Sequence, residues 1–167
     1  YSGSSTKFTS DSLGYSQSPY AFTKAVNTQL IEGYAGWFGL RYAIVYFYNV
    51  YGPGEIGEGK YATLIAKFLR LASEGKALSV TLPGSQQRNF THIADIVDGI
   101  LLVAENAVGD LYGIGSDDSY TVMQVAEMIS DNIEFSLEKK GNRTGALVEN
   151  SKLKALGWSP NFNLQKY

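Results

Sequence analysis

The chain has 167 residues, 44% of them hydrophobic and 18% charged, with a formal net charge of −2 at pH 7. That length holds one domain with a real core, and the composition is that of a folded globular chain rather than a disordered one. No basic block is present to serve a nucleic-acid surface, no apolar run reaches the length of a membrane span, and no signal-peptide pattern is read. With no cysteine and one histidine, disulfides, thiolate metal sites and a histidine-built zinc site drop out, and a cytoplasmic protein without a metal is expected.

The chain opens at Tyr1 and closes at Tyr167, beyond a Pro160 that introduces another element. Both ends read as cut, so a fragment of a longer chain is expected. Tyr1 to Ser10 is rich in Ser and Thr and reads in two ways, as a solvated loop or as a strand end that presents hydroxyls. A helix is predicted from Pro19 to about Phe38, with Ser18 as N-cap, Pro19 in the first turn and Gly39 as the stop. Phe22, Val26, Leu30, Ile31 and Tyr34 recur along it at helical spacing. Arg41 to Tyr48 is a continuous β-branched and aromatic run, as in a buried parallel strand, and Asn49 to Gly54 reads as a loop.

Further elements alternate. A helix is predicted over Lys60–Glu74, with Ile65, Phe68, Leu69 and Ala72 on one face, then a strand over Leu78–Leu82 and a turn at Pro83–Gln87. A short strand at Phe90–His92 leads to a helix capped by Asp95 and running to about Asn106. A strand at Leu111–Ile114, a helix over Tyr120–Ser130, a strand at Glu134–Leu137, a polar loop at Lys139–Arg143 and a short helix at Ser151–Leu156 complete the chain. Alternating strands and helices imply an α/β architecture with crossovers, in which ligands gather at the carboxyl ends of strands. Those ends carry Ser4–Thr6, Asn49–Gly54 and Leu82–Gln87, three polar loops expected to converge beside the first helix.

Within that helix, Tyr20 and Lys24 stand four residues apart and so share a face. A phenol with a reference pKa of about 10 is a poor base near neutrality, and a cation one turn away favours the phenolate. The pair reads as an activated acid/base. Chance supplies roughly 0.7 Tyr-x-x-x-Lys pairs in a chain this rich in both residues, so the pair gains weight only from its surroundings.

The surroundings are six motifs in order. They are Tyr1-Ser2-Gly3-Ser4-Ser5-Thr6, Pro19-Tyr20-Ala21-Phe22-Thr23-Lys24, Asn49-Val50-Tyr51-Gly52-Pro53-Gly54, Arg88-Asn89-Phe90-Thr91-His92-Ile93-Ala94-Asp95, Tyr112-Gly113-Ile114-Gly115-Ser116 and Ser151 through Pro160. Together they resemble the extended short-chain dehydrogenase/reductase family, and within it the NAD-dependent sugar-nucleotide epimerases and dehydratases, UDP-glucose 4-epimerase-like members above all.

The resemblance implies the later part of a doubly wound Rossmann sheet over residues 1–52 and a small mixed α/β substrate-binding portion over 53–167, with a return strand to the Rossmann sheet near 77–95. It also implies NAD as cofactor, a nucleotide-diphospho-sugar as substrate, and a homodimer in the full-length protein through the helix of Tyr20. Tyr20 would take the proton of a sugar hydroxyl; Lys24 would lower its pKa and hold the nicotinamide ribose. Ser4 is the expected hydroxyl on the sugar oxygen, with Ser5 a register slip away and Thr6 its neighbour on the site side.

Tyr48 would lie against the nicotinamide or, alternatively, pack in the core. Asn49 would bond a substrate phosphate or sugar, and Leu82 would lie along the base. Arg88 would pair with the diphosphate, joined by Arg143 or by Lys139 or Lys140. His92 is read as structural. A 4,6-dehydratase needs an extra acid two places beyond its catalytic hydroxyl, where this chain has Thr6, so epimerisation at C4 is favoured over dehydration and over keto-sugar reduction. A binding module without chemistry is the reading from another class. The family's Gly-rich phosphate loop is absent from residues 1–167, and the isolated segment is expected neither to bind NAD tightly nor to turn over alone.

Overall fold

The computed structural model of the chain describes residues 1–8, 18–137 and 148–167. It is an α/β structure. In order it runs β1 (Ser2–Ser4), a 3-10 turn (Ser5–Phe8), α1 (Pro19–Phe38), β2 (Ala43–Phe47), β3 (Asn49–Tyr51), α2 (Leu64–Ser73), β4 (Leu78–Thr81) and β5 (Gln87–His92). Then come α3 (Ile93–Asn106), β6 (Gly109–Ile114), β7 (Ser119–Thr121), α4 (Val122–Ile129), β8 (Ile133–Ser136), α5 (Ser151–Ala155) and a last 3-10 turn (Leu164–Lys166).

Three sheets result. The first is parallel, in the order β1-β2-β6, with Ser4 beside Phe47 and Phe47 beside Ile114. Val45, Tyr112 and Ile114 pack against Ile96 and Val103 of α3 and are closed off by Leu153 and Trp158. The second sheet is mixed, β3-β5-β7, and the third is the parallel pair β4-β8. Between them a second core gathers Tyr51, Ile65, Phe68, Leu78, Val80, Phe90 and Val125. The strand that returns to the first sheet is therefore β6. The strands within 77–95 pair elsewhere, β4 with β8 and β5 with β3 and β7, which corrects the expected place of the return.

Local departures from the sequence reading have identifiable causes. Asn49–Tyr51 is a strand rather than loop because its backbone pairs with Phe90–His92, and the turn residues begin only at Gly52. The ladder changes sheets across the single residue Tyr48. Helix α2 starts at Leu64 after an N-cap at Thr63, since a turn from Gly59 to Ala62 takes up the preceding residues. Tyr120 lies in a strand opposite Arg88, and α4 begins after Thr121, whose side chain forms a capping box with Gln124. The cap of α3 is His92, whose Nδ1 accepts from the Ala94 amide at 3.2 Å. Asp95 sits inside that helix, fully buried, and its two carboxylate oxygens accept from the Asn161 and Phe162 amides at 2.8 and 3.1 Å.

Helix α1 starts and stops as its sequence dictates: Ser18 accepts from the Ala21 amide at 3.1 Å, and Gly39 ends it with a φ of +69°. Its packed face is different from the expected one. Ala21, Ala25 and Thr28 are buried, while Phe22, Val26, Leu30 and Tyr34 are exposed. Small side chains let the helix axis approach β1, and the bulky stripe is left outward.

Candidate active site

Tyr20 is the second residue of α1 and is 65% exposed. One turn later the Lys24 ammonium lies 5.9 Å from the centre of the Tyr20 ring and 5.1 Å from that of Tyr1. It donates to the Ser2 carbonyl oxygen at 2.9 Å. The pair is thus brought together on an accessible surface and moored to β1. That strand ends at Ser4, which is buried; its Oγ accepts from the Thr6 hydroxyl at 2.9 Å and from the Thr6 amide at 3.4 Å. With Oγ accepting twice, the proton of Ser4 is left to donate elsewhere.

Asn49 and Arg88 meet in a different place. They wall a cavity of about 550 Å³ together with Glu55, Thr63, Lys67 and Thr81. Arg88 also donates to the Gln87 carbonyl at 2.8 Å. Two cations in one concave site suit a diphosphate, which a planar guanidinium can bind in fork geometry. Tyr20, Lys24 and Ser4 are not among the walls of this cavity, so the three loops converge only in part. The connection is through the chain, because Ser4 pairs with Phe47 and Asn49 follows two residues later.

Lys67 and Gln86 are cavity residues that sequence reasoning missed. A signal for Lys67 was available: it lies one turn after Thr63, as a lone charge in the otherwise apolar first turns of α2. Gln86 carried none, since its role depends on the fold. Its amide nitrogen is tied to the Thr81 and Leu82 carbonyls, each at 3.3 Å, and this turn brings it to the cavity.

Tyr48 is 8% exposed, with its ring against the backbone at Gly115, where an added Cβ would come within 2.5 Å of it. Its hydroxyl accepts from the Glu149 amide at 2.8 Å. Burial pushes that phenol up to about 12, against the pull of the Glu149 hydrogen bond. Leu82 has an exposed side chain, and its backbone is engaged: its amide donates to Ser136 at 2.9 Å and its carbonyl accepts from Gln86. Its neighbour Thr81 is the one that lines the cavity. Arg143, Lys139 and Lys140 lie outside the described residues. Among the described residues no helix is long and apolar enough to cross a membrane.

A parallel sheet in which β1 ends in a Ser/Thr hydroxyl is followed by a helix with an exposed Tyr–Lys pair, an α/β arrangement of the nucleotide-fold kind. Residues 2–115 match the family described as NAD dependent epimerase/dehydratase, and the chain belongs to that family. It is 37% identical over 111 residues to a UDP-N-acetyl-alpha-D-glucosaminuronate decarboxylase of Bacillus cytotoxicus, covering 66% of this chain and 34% of that protein. It is 32% identical over 150 residues to a trifunctional UDP-glucose 4,6-dehydratase/UDP-4-keto-6-deoxy-D-glucose 3,5-epimerase/UDP-4-keto-L-rhamnose-reductase of Arabidopsis thaliana, covering 84% of this chain and 22% of that one. The UDP-glucose 4-epimerase of Thermotoga maritima, solved with UDP-glucose, superposes with a TM-score of 0.84 at 25% identity, covering 89% of this chain and 50% of that one. The chain therefore spans half or less of the length of each of these relatives.

The family's cofactor is NAD, and the donor set present fits its reacting end. Among the described residues the Lys24 ammonium spends one of its three N–H donors on Ser2, which leaves two able to donate to hydroxyl groups beside an exposed phenol.

Proposed function

We propose that this chain supplies the acid/base pair, the sugar-facing hydroxyl and the substrate cavity of an enzyme that epimerises a nucleotide-diphospho-sugar at C4. The observation that carries the reading is the Lys24 ammonium, which stands over the Tyr20 ring and is fastened to β1 two residues before Ser4. Bound NAD supplies a nicotinamide able to take up and return hydride. Tyr20 removes the proton of the sugar hydroxyl and later restores it, while the charge of Lys24 favours the phenolate and its N–H groups hold the ribose. Ser4 donates to the sugar oxygen. Asn49 bonds the sugar or a phosphate, and Arg88 with Lys67 binds the diphosphate.

Epimerisation is preferred to dehydration because Thr6, the position for an extra acid, carries a buried hydroxyl bonded to Ser4. An alcohol does not protonate a leaving hydroxyl near neutral pH. The exposed stripe of Phe22, Val26, Leu30 and Tyr34 supports the further expectation of a homodimer built on α1.

The test is a product assay. Full-length protein is incubated with NAD and, separately, UDP-glucose and UDP-glucuronate, and the products are resolved by chromatography and NMR. A C4 epimer is the expected product. Release of carbon dioxide or loss of water would replace this reaction with another of the family, and a protein that binds the sugar nucleotide without converting it would be a binding module.

A further inference from the structure

Beneath the hydroxyls of Ser4 and Thr6 lies a polar triad that the proposed chemistry does not use. The 3-10 turn that follows Ser4 carries Lys7, whose ammonium forms an ion pair with Asp110 of β6 and donates to the Tyr46 hydroxyl of β2 at 3.3 Å. Tyr46 donates to the other carboxylate oxygen of Asp110 at 2.7 Å, and the Leu111 amide donates to the same oxygen at 2.7 Å. Asp110 is mostly buried and Lys7 half-buried, so solvent screens the pair less than a surface one. Burial alone would raise the Asp110 carboxyl, but the hydrogen bonds from Lys7, Tyr46 and Leu111 outweigh it and hold the group below the usual carboxylate range.

Tyr46 itself grips the segment from both sides. It is fully buried; its ring occupies the space beside Gly3, where an added Cβ would come within 2.3 Å, and meets Phe8 edge-on at 5.0 Å. Gly3 precedes Ser4, and Lys7 and Phe8 follow Thr6. The short stretch that presents the two hydroxyls is therefore clamped at each end to β2, and through Asp110 to β6. A hydroxyl that must meet a reacting oxygen gains rate from being held in place, and a misplacement of about 1 Å can cost on the order of a hundredfold.

We propose that Lys7 is a positioning residue, whose ion pair with Asp110 across Tyr46 fixes the Ser4–Thr6 hydroxyl pair for reaction. The inference rests on the reading of Ser4 as the hydroxyl that meets the sugar oxygen. In this arrangement Lys7 does not touch substrate; its charge acts through the turn, so its loss falls on kcat rather than on substrate affinity.

The test is steady-state kinetics on full-length protein, with whichever of UDP-glucose and UDP-glucuronate the wild type converts. Lys7→Met is expected to lower kcat on the order of tenfold while KM stays within about twofold, and Lys7→Arg is expected to restore most of the loss. Should Lys7→Met fail to fold, Asp110→Asn carries the same expectation, since it keeps the size of the side chain and an acceptor for Tyr46 and removes the charge. An unchanged kcat in either variant, a rise in KM that accounts for the loss, or failure of Lys7→Arg to restore rate overturns the proposal. Ser4→Ala and Tyr20→Phe run alongside. If these two keep full activity, the reading of the active site fails. If they lose activity and Lys7→Met does not, the positioning role alone fails.

Discussion

Lys24 donates its ammonium to the Ser2 carbonyl oxygen at 2.9 Å. This contact ties α1 to β1 across 22 residues of chain. Below it the helix is held by small side chains, Ala21 and Ala25, which allow the close approach. The lysine thus has two tasks at once, a structural one on the strand and an electrostatic one over the Tyr20 ring, and substitutions separate them from the role of the phenol.

Tyr20→Phe removes only an exposed hydroxyl, so its thermal midpoint is expected to stay close to that of the wild type. Its kcat is expected to fall by roughly 10²–10⁴-fold, the usual range for loss of a general acid/base. Lys24→Met should lose rate to a similar degree and also some stability, since the Ser2 carbonyl is left without that donor. Activity and melting curves of the two full-length variants check this; a Tyr20→Phe enzyme with intact kcat would sink the acid/base assignment.

Arg88 is expected to act on binding. It is the planar cation of the cavity, and Lys67 lines the same cavity as a point charge. Arg88→Ala is expected to weaken UDP binding by roughly 10–100-fold, in line with about 1.5–3 kcal/mol for a charged hydrogen bond. Calorimetric titration of full-length protein with UDP reads this directly. Affinity unchanged within about twofold, below a 1 kcal/mol effect, would remove Arg88 from the diphosphate site.

The sequence carried the fold where a signal was local. Ser18, Pro19 and Gly39 bound α1 where expected, because capping needs only neighbouring residues. It misled where the partner was distant. Asn49–Tyr51 and Tyr120 became strand through pairing with β5, which no local pattern announces. Asp95 had the look of a helix cap, yet it serves backbone amides 66 and 67 residues away. In the candidate site, the approach of Lys24 to Tyr20 was local enough to read, since one helical turn separates them. Lys67 carried a readable signal as a lone charge early in α2, whereas Gln86 needed the cavity to be seen and the Lys7–Asp110 pair spans 103 residues of sequence.

Gly113 is expected to be the least substitutable glycine of β6. An added Cβ would lie 1.8 Å from the Glu149 carbonyl oxygen, which is backbone and cannot rotate away. Gly113→Ala must separate β6 from the segment before α5, and a loss of roughly 3 kcal/mol or more is expected, at or above the upper end for overpacking. Gly36→Ala is the control. It lies in α1 with nothing within 4 Å of an added Cβ. It is expected to be neutral or to gain up to about 1 kcal/mol from helix propensity. Urea unfolding of both variants gives the comparison.

Alkali should unfold this chain by way of two phenols, and their substitutions should behave in opposite ways. Burial pushes both Tyr48 and Tyr51 up to about 12 from 10.0. A raised phenol pKa means that the folded state keeps a proton the unfolded state has lost. The stabilisation is fully present below pH 10 and is lost as pH rises through about 12. Near neutrality Tyr48→Phe is expected to destabilise by about 1 kcal/mol or more, because the Glu149 amide loses its acceptor. The Tyr51 hydroxyl is buried and makes no hydrogen bond among the described residues. Tyr51→Phe removes a desolvated polar group and is therefore expected to be neutral or stabilising. Both variants should flatten the alkaline decline. Urea midpoints measured near neutral pH and again between about pH 10 and 12 test the set. A Tyr51→Phe protein clearly weaker than wild type near neutrality would mean that its hydroxyl has a partner, and a decline just as steep in both variants would place the responsible groups elsewhere.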